Sequence, residues 1–124
     1  MITSKKKFSV LLVLMLLLVA CSTLVTDGYR TLAISNQTYD VTLFTMGDLY
    51  KAGKLTDAQR DKAIEIGRAY KIAHNGAVES LAKYEETNRD SDKVAYEAAA
   101  VLAAKRLSEF IAYCTPFLPK KEVK

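Results

Sequence analysis

The only histidine, His74, is the first residue to test for chemistry, because imidazole serves as a metal ligand and as a general base near neutral pH. A zinc or di-iron site would need a carboxylate or a second histidine three or four residues away on the same helix face. Positions 71 and 78 are instead lysine and valine. The sequence has no Gly-x-Ser-x-Gly, no Cys-x-x-Cys-His and no glycine-rich phosphate loop. We therefore interpret His74 as a structural residue between packed helices, and we expect neither a metal site nor enzyme activity.

The second chemical group is the thiol of Cys21, and the segment in front of it has the layout of a secretory signal. Lysines occupy positions 5–7, and an uncharged apolar run follows at 8–20. The run covers 13 residues. As a helix it would be about 20 Å long, which is too short for the roughly 30 Å core of a bilayer. The sequence therefore predicts a signal at residues 1–20.

The end of this signal, Leu18-Val19-Ala20-Cys21, resembles the lipobox of bacterial lipoproteins. The small Ala20 would let the backbone enter a peptidase that lies in the membrane. The resemblance implies cleavage between Ala20 and Cys21, a diacylglyceryl thioether on Cys21, and acylation of the freed amine. Two or more acyl chains anchor a protein stably. We thus expect a membrane as a partner through this lipid, and no other cofactor.

Ser22 bears on the location of the anchor. By the same resemblance, aspartate at this position tends to retain a lipoprotein in the inner membrane. Serine implies the outer membrane, with the domain facing the periplasm of a Gram-negative cell; in a Gram-positive cell it would face outward. One alternative is an uncleaved signal anchor that continues to Leu24 and Val25. The other is a conventional signal, for which no A-x-A-like site is present.

Lipidation of Cys21 would leave Cys114 without a partner in its own chain. In an oxidising compartment, such a cysteine suggests a free thiol or a disulfide between chains. We favour a small buried hydrophobe at the end of the third helix and keep the intermolecular thiol as the alternative.

The C-terminal residue, Lys124, invites a further comparison. In this residue and in the anchor, the chain is similar to the major murein lipoprotein, whose terminal lysine is joined to peptidoglycan. That protein is a shorter coiled coil with a different C-terminal motif, so the resemblance covers only the anchor and one residue.

The charge of the chain changes once the signal is set aside. The full chain has 18 lysines and arginines, 14 acidic residues and a pI near 9.0. Three of the basic residues and none of the acidic ones precede residue 20, so the mature chain carries 15 basic residues against 14 acidic ones. Nucleic-acid binding needs a basic face, whereas acidic residues are interspersed along every predicted helix. We therefore expect no nucleic-acid partner.

Turn and capping residues divide the mature chain into three helices. Gly53 suits the left-handed position after the first helix, and Thr56 with Gln59 forms a capping box for the second. Asp90 or Ser91 is expected to cap the third helix. Apolar residues recur at steps of three and four in each segment, as on the buried face of a helix. The predicted buried positions include six of the seven tyrosines, whose rings we expect inside with their hydroxyls at the rim.

The sequence predicts an all-α antiparallel three-helix bundle with helices at about 27–52, 57–87 and 92–114. The segment 38–43 alternates as a strand would, but no second strand is available to pair with it, so the first helix is kept continuous through Gly47. The domain organisation is then a signal at 1–20, a lipidated cysteine and short tether at 21–26, the bundle at 27–115, and a basic tail at 116–124 that begins with a proline.

These observations favour a membrane-anchored, periplasm-facing lipoprotein whose helical domain is a non-enzymatic interaction module. Its partner would be an envelope protein, peptidoglycan or another copy of the chain. One alternative is a structural spacer between the outer membrane and peptidoglycan. Another is a phage- or mobile-element-encoded lipoprotein that alters the host surface. A third is an enzyme or metal protein that uses His74.

Overall fold

A computed structural model of the chain describes the backbone of residues 2–120 and the side chains of residues 24–120. It contains three helices, α1 (Ile2–Lys51), α2 (Asp57–Thr87) and α3 (Asp90–Cys114), and a 3-10 turn at Thr115–Phe117. No strand occurs in this described part of the chain, and the alternating segment 38–43 is helical. The predicted all-α three-helix bundle is confirmed.

The turn between α1 and α2 has the predicted local chemistry. Gly53 adopts a φ of 75°, a left-handed conformation that a residue with a side chain rarely takes. The Gln59 amide donates to the Thr56 hydroxyl at 3.1 Å, and the Thr56 amide donates to the Gln59 side chain at 2.9 Å. These two bonds form the capping box. Leu55, directly before this box, is buried in the core.

The turn between α2 and α3 differs from the prediction. Neither Asp90 nor Ser91 caps α3, because both are already helical and Arg89 takes the N-cap position without a side-chain hydrogen bond. The hydroxyl of Thr87, at the end of α2, accepts from the Arg89 amide at 3.3 Å and donates to the Asp92 carboxylate. The polar partner of this helix start is thus supplied by the preceding helix.

The C-terminal ends of α2 and α3 use different devices. Asn88 closes α2 with a φ of 52°, and its amide donates to the Tyr84 carbonyl at 2.8 Å. α3 ends at Cys114, directly before the 3-10 turn that contains Pro116. The prediction that the third helix ends before its prolines is confirmed. Proline ends the helix because it cannot donate a hydrogen bond to a preceding helical carbonyl.

The beginning of α1 also differs from the prediction. The structure has helix where the sequence predicted a tether at 21–26, and α1 runs without a break from Ile2. Leu24 and Val25 pack against the core. The physical reason is local, since no glycine or proline precedes Gly28 and the segment has apolar side chains to bury. The folded part therefore includes at least residues 24–26.

The buried side chains form two groups along the bundle axis. The near cluster lies toward the N-terminal end of the described chain and comprises Leu32, Ala73, Ala77, Leu81, Tyr84, Tyr96 and Ala103. The far cluster lies at the other end and comprises Tyr39, Met46, Leu55, Ala63, Tyr70, Phe110 and Cys114. Nearly all of these residues lie at the predicted inward positions, because a spacing of three and four residues keeps side chains on one helix face.

The three helices are antiparallel to their neighbours in sequence. The Tyr29 hydroxyl donates to Glu85 at 3.1 Å, which joins the middle of α1 to the end of α2. The Tyr113 hydroxyl donates to the Gln59 carbonyl at 3.3 Å, which joins the end of α3 to the start of α2. Leu24 and the end of α3 therefore lie at opposite ends of the bundle.

Candidate binding surface between helices α1 and α2

His74 lies at the interface of α1 and α2, where the sequence predicted it. Its Nδ1 is 3.3 Å from the Tyr70 hydroxyl, and the ring is half-buried. Burial lowers the His74 pKa, the nearby Lys71 ammonium lowers it further, and Asp40 opposes both effects. The imidazole is therefore uncharged at neutral pH and hydrogen-bonded to the Tyr70 hydroxyl. No group of three metal-ligating side chains occurs among the described residues.

A polar bridge surrounds this histidine and connects the two helices. The Lys71 ammonium donates to the Asn36 side-chain oxygen at 2.8 Å and lies 5.6 Å from the centre of the Tyr39 ring. The Asn36 amide in turn donates to Asp40 at 3.3 Å. Each polar group has a partner across or along the helices, so the bridge holds α1 against α2 and offers no free nucleophile.

A layer of rings lies directly below the bridge. The centroid of the Tyr39 ring is 4.9 Å from those of Tyr70 and Phe110, and the planes are tilted. Burial raises the Tyr70 pKa to about 12, so its phenol stays protonated at physiological pH. The expectation of buried tyrosine rings is confirmed at four positions, and the other three rings are half-buried. An exposed row of rings is absent from the described surface.

Cys114 is fully buried in the far cluster and forms no disulfide. Burial raises the pKa of its thiol to about 11, which disfavours the reactive thiolate. The interpretation as a small buried hydrophobe is confirmed. The alternative of an intermolecular thiol does not suit the folded bundle, because this side chain has no exposed surface through which to reach a second chain.

The other predicted sites lie at the two ends of the chain. The side chains of Ala20 and Cys21, and the whole of Lys124, lie outside the described residues. Within residues 24–120, no helix is both long and apolar enough to cross a membrane.

An apolar cavity of about 280 Å³ lies between α1 and α2, beside the far cluster. Among its lining residues, the Arg60 guanidinium stacks over the Tyr50 ring at 4.4 Å and pairs with Asp61 at 3.0 Å. The Tyr50 hydroxyl donates to Asp57 at 2.8 Å. Gly47 also lines the cavity, and an added Cβ there would meet no atom within 4 Å. The cavity is lined by Leu43, Met46, Gly47, Tyr50, Leu55, Arg60, Ala63 and Ile64.

The solvent face of α1 carries a second apolar pattern, which we call the outer stripe and which comprises Ile34, Val41 and Phe44. These side chains are 58%, 60% and 72% exposed. Their spacing of seven and three places them on one side of the helix, opposite the inward positions. Thr38 and Thr45 donate to the carbonyls of Ile34 and Val41, at 3.0 and 2.9 Å, so these hydroxyls are also satisfied within the helix.

Phe44 is the member of the outer stripe nearest to Gly47 along α1. It lies one helical turn before Gly47 and is not among the residues that line the cavity. Ile64, which lines the cavity from α2, is 38% exposed. None of these residues was predicted from the sequence. A signal was present, since Phe44 is a large apolar residue outside the inward series and shares its spacing with Val41 and Ile34.

No protein-family model, curated protein or solved structure matches this chain. The geometry of its own side chains is therefore the guide to its function. The groups between α1 and α2 are paired or neutral, whereas the cavity and the outer stripe leave apolar surface in water. Such a surface binds by removing this apolar area from water.

Proposed function

We propose that this protein is a lipid-anchored lipoprotein of the bacterial cell envelope, and that its helical domain is a non-enzymatic interaction module. The observation that carries the second part is the apolar surface that the described chain leaves in water, namely the open cavity between α1 and α2 and the exposed outer stripe. The resemblance of residues 18–21 to a lipobox supports the first part. With Ser22 after the cysteine, the outer membrane of a Gram-negative cell is the proposed location, with the domain in the periplasm.

The proposed anchor agrees with the packing of α1. Cleavage before Cys21 would leave only three residues, 21–23, ahead of the core residues Leu24 and Val25. The lipid would then emerge almost directly from the near end of the bundle. The near end of the bundle would stay close to the membrane. The far end, which contains the cavity and the C-terminal end of α1, would point away from it.

Mass spectrometry of the protein purified from membranes tests the anchor. We expect a mature chain that begins at Cys21 and carries two or three acyl chains. A Cys21→Ala variant should retain the uncleaved signal and carry no lipid, whereas the matched Cys114→Ala variant should be cleaved and lipidated normally. A native N-terminus at Met1, or an unlipidated one elsewhere, would refute the anchor.

Capture of partners from membranes, with the intact lipidated protein as bait, tests the interaction module. We expect retention of an envelope component, or of the protein itself, that is lost when Phe44 is replaced by alanine. A strictly monomeric protein that captures nothing from its own envelope would count against the module.

A structural spacer is the second candidate, favoured by the opposite positions of Leu24 and the end of α3 in the bundle. In this version, the anchored end lies at the membrane and the C-terminal lysines reach the cell wall. Digestion of purified sacculi with lysozyme should then release the protein. Complete recovery by detergent alone would exclude covalent attachment.

A further inference from the structure

We propose that the outer stripe of α1 packs against the outer stripe of a second copy of this chain, with the two α1 helices antiparallel about a two-fold axis at the level of Tyr39. This inference deepens the proposed function and rests on it for the role of the outer stripe as a binding surface. It names the partner of that surface as the protein itself.

The outer stripe belongs to a longer exposed face of α1 that has the spacing of a helix pair. Ile34 and Val41 are seven residues apart, and Phe44 follows three residues later. This is the spacing of the a and d positions of a heptad, which meet a partner helix. The residues that continue the spacing in both directions are also exposed, and with the stripe they form what we call the heptad face. They are Asp27, Arg30, Gln37, Asp48 and Lys51.

The charges of the heptad face are arranged to meet an antiparallel copy of themselves. Arg30 lies nine residues before Tyr39, and Asp48 lies nine residues after it. A two-fold axis across the helices at Tyr39 reverses the chain direction, so it places Arg30 of each copy opposite Asp48 of the other. Asp27 and Lys51, twelve residues before and after Tyr39, face each other in the same way. Pairs of opposite charge therefore lie at both ends of the interface.

The same axis brings the apolar residues together at the centre. Ile34 and Phe44 lie five residues before and after Tyr39, so each Ile34 faces the Phe44 ring of the other copy. These side chains are 58% and 72% exposed in the single chain, and association removes their surface from water. Gln37 faces Val41 by the same rule, and a polar residue at such a position fixes the register at some cost in stability.

The two inner charges are available for this contact, and they select the antiparallel direction. Among the described side chains, Arg30 and Asp48 form no ion pair and no side-chain hydrogen bond, so neither gives up a partner on association. A parallel pair of α1 helices in register would place Arg30 against Arg30 and Asp48 against Asp48. Like charges that face each other disfavour that arrangement.

The antiparallel direction also changes how the domain lies on the membrane. The lipids proposed on Cys21 would leave from opposite ends of the pair. A single anchored copy extends away from the membrane, whereas the pair inserts both lipids into one membrane only when its α1 helices lie along the surface. Dimer formation therefore turns each bundle toward the membrane plane.

Charge reversal in the full-length lipidated protein tests the pairing. Arg30→Asp and Asp48→Arg each place like charges opposite one another twice in the dimer, and the double variant restores opposite charges. Arg68→Asp is the matched control, because Arg68 is also exposed but lies on α2. Sedimentation equilibrium in density-matched detergent gives the dimer dissociation constant, and circular dichroism reports whether each variant is folded.

We expect a dimer for the wild type and for Arg68→Asp. Each single reversal should weaken the dimer by about 10-fold or more, and the double variant should return to the wild-type constant. An equimolar mixture of the two single variants should also dimerise, because one copy is then acidic at both positions and the other is basic. Phe44→Ala should weaken the dimer by about 100-fold, since two rings are lost from the interface.

A monomeric wild type overturns the proposal, and so does a dimer that neither reversal weakens, which is the result for a parallel pair. Recovery in the double variant and in the mixture requires folded chains, so loss of folding cannot imitate the expected pattern. A monomeric wild type that still captures another envelope component refutes the dimer alone. A monomeric wild type that captures nothing refutes the proposed interaction module as well.

Discussion

The near and far clusters join the same three helices with different kinds of side chain. In the near cluster, three alanines at positions 73, 77 and 103 let the helices approach closely, and Leu81 and Tyr96 fill the remaining space. In the far cluster, rings stack between the helices, with centroids 4.9 Å apart around Tyr39. No residue of the near cluster lines the α1–α2 cavity, whereas several residues of the far cluster do.

The comparison explains where an opening between helices arises. The cavity lies among the large side chains of Met46, Tyr50 and Leu55, where Gly47 on α1 and Ala63 on α2 contribute little volume to fill it. Close packing in proteins leaves few such gaps, so one that opens to solvent is a candidate for occupation by a ligand or partner.

Truncation of one large residue in each cluster should give the largest effect. Phe110 and Leu81 are both fully buried. We expect Phe110→Ala to lower the free energy of unfolding by about 3–5 kcal/mol and Leu81→Ala by about 2–4 kcal/mol, because each leaves a void in the core. Urea unfolding of the full-length chain in mild detergent, followed by circular dichroism, measures both values. A larger loss for Leu81→Ala would show that the near cluster carries more of the stability.

Two glycine-to-alanine substitutions, one in each half of the bundle, should change the free energy of unfolding by an intermediate amount. A Cβ at Gly28, in the near half, would lie 2.7 Å from the Tyr96 hydroxyl and 2.9 Å from a Leu81 methyl, both buried. We expect Gly28→Ala to destabilise the fold by about 1–2 kcal/mol through overpacking. Gly47→Ala meets only open space and should stabilise it by up to about 1 kcal/mol through helix propensity.

The same unfolding measurement decides this prediction, since the two changes are chemically identical. Opposite signs support close packing at Gly28 and open space at Gly47. Equal effects of the same sign would remove the distinction between the two regions.

The smallest effect should come from pH and the bridge at His74. The His74 pKa is below its ordinary value in the folded state, so the unfolded chain binds more protons in the range just below pH 6.5. The contribution of His74 to stability is complete above that pH and is lost as the pH falls from 6.5 through the lower folded pKa. This pH dependence of the stability is reduced by the nearby Asp40, which raises the His74 pKa, and by the partial exposure of the ring.

Comparison of the wild type with His74→Gln isolates this contribution from that of the carboxylates. We expect the wild type to lose more stability than the variant between pH 7.5 and pH 5.5. A parallel loss in both proteins would show that the folded and unfolded chains titrate His74 alike.

Much of the architecture followed from short-range patterns. The capping box at Thr56 and Gln59, the left-handed Gly53 and the inward spacing of apolar residues depend on neighbours within one or two helical turns. Each was therefore predictable from the sequence. The cap of α3 was not, because its hydroxyl comes from Thr87 in the preceding helix and Arg89 carries no capping side chain. The buried state of Cys114 was favoured from its position, but its complete enclosure depends on residues of all three helices.

The candidate surface shows the same division. The sequence contains Gly47 and Phe44, but a glycine within a helix does not by itself indicate a cavity. The cavity also depends on the residues of α2 that face Gly47. By itself, the sequence determined which segments are helical and which faces turn inward, because those features are encoded in local spacing; the lipid attachment proposed for Cys21 also rests on a local motif. Only the tertiary structure decided that Gly28 is enclosed while Gly47 is open, and that a cavity lies between α1 and α2. These properties depend on how much volume three distant segments bring to one place.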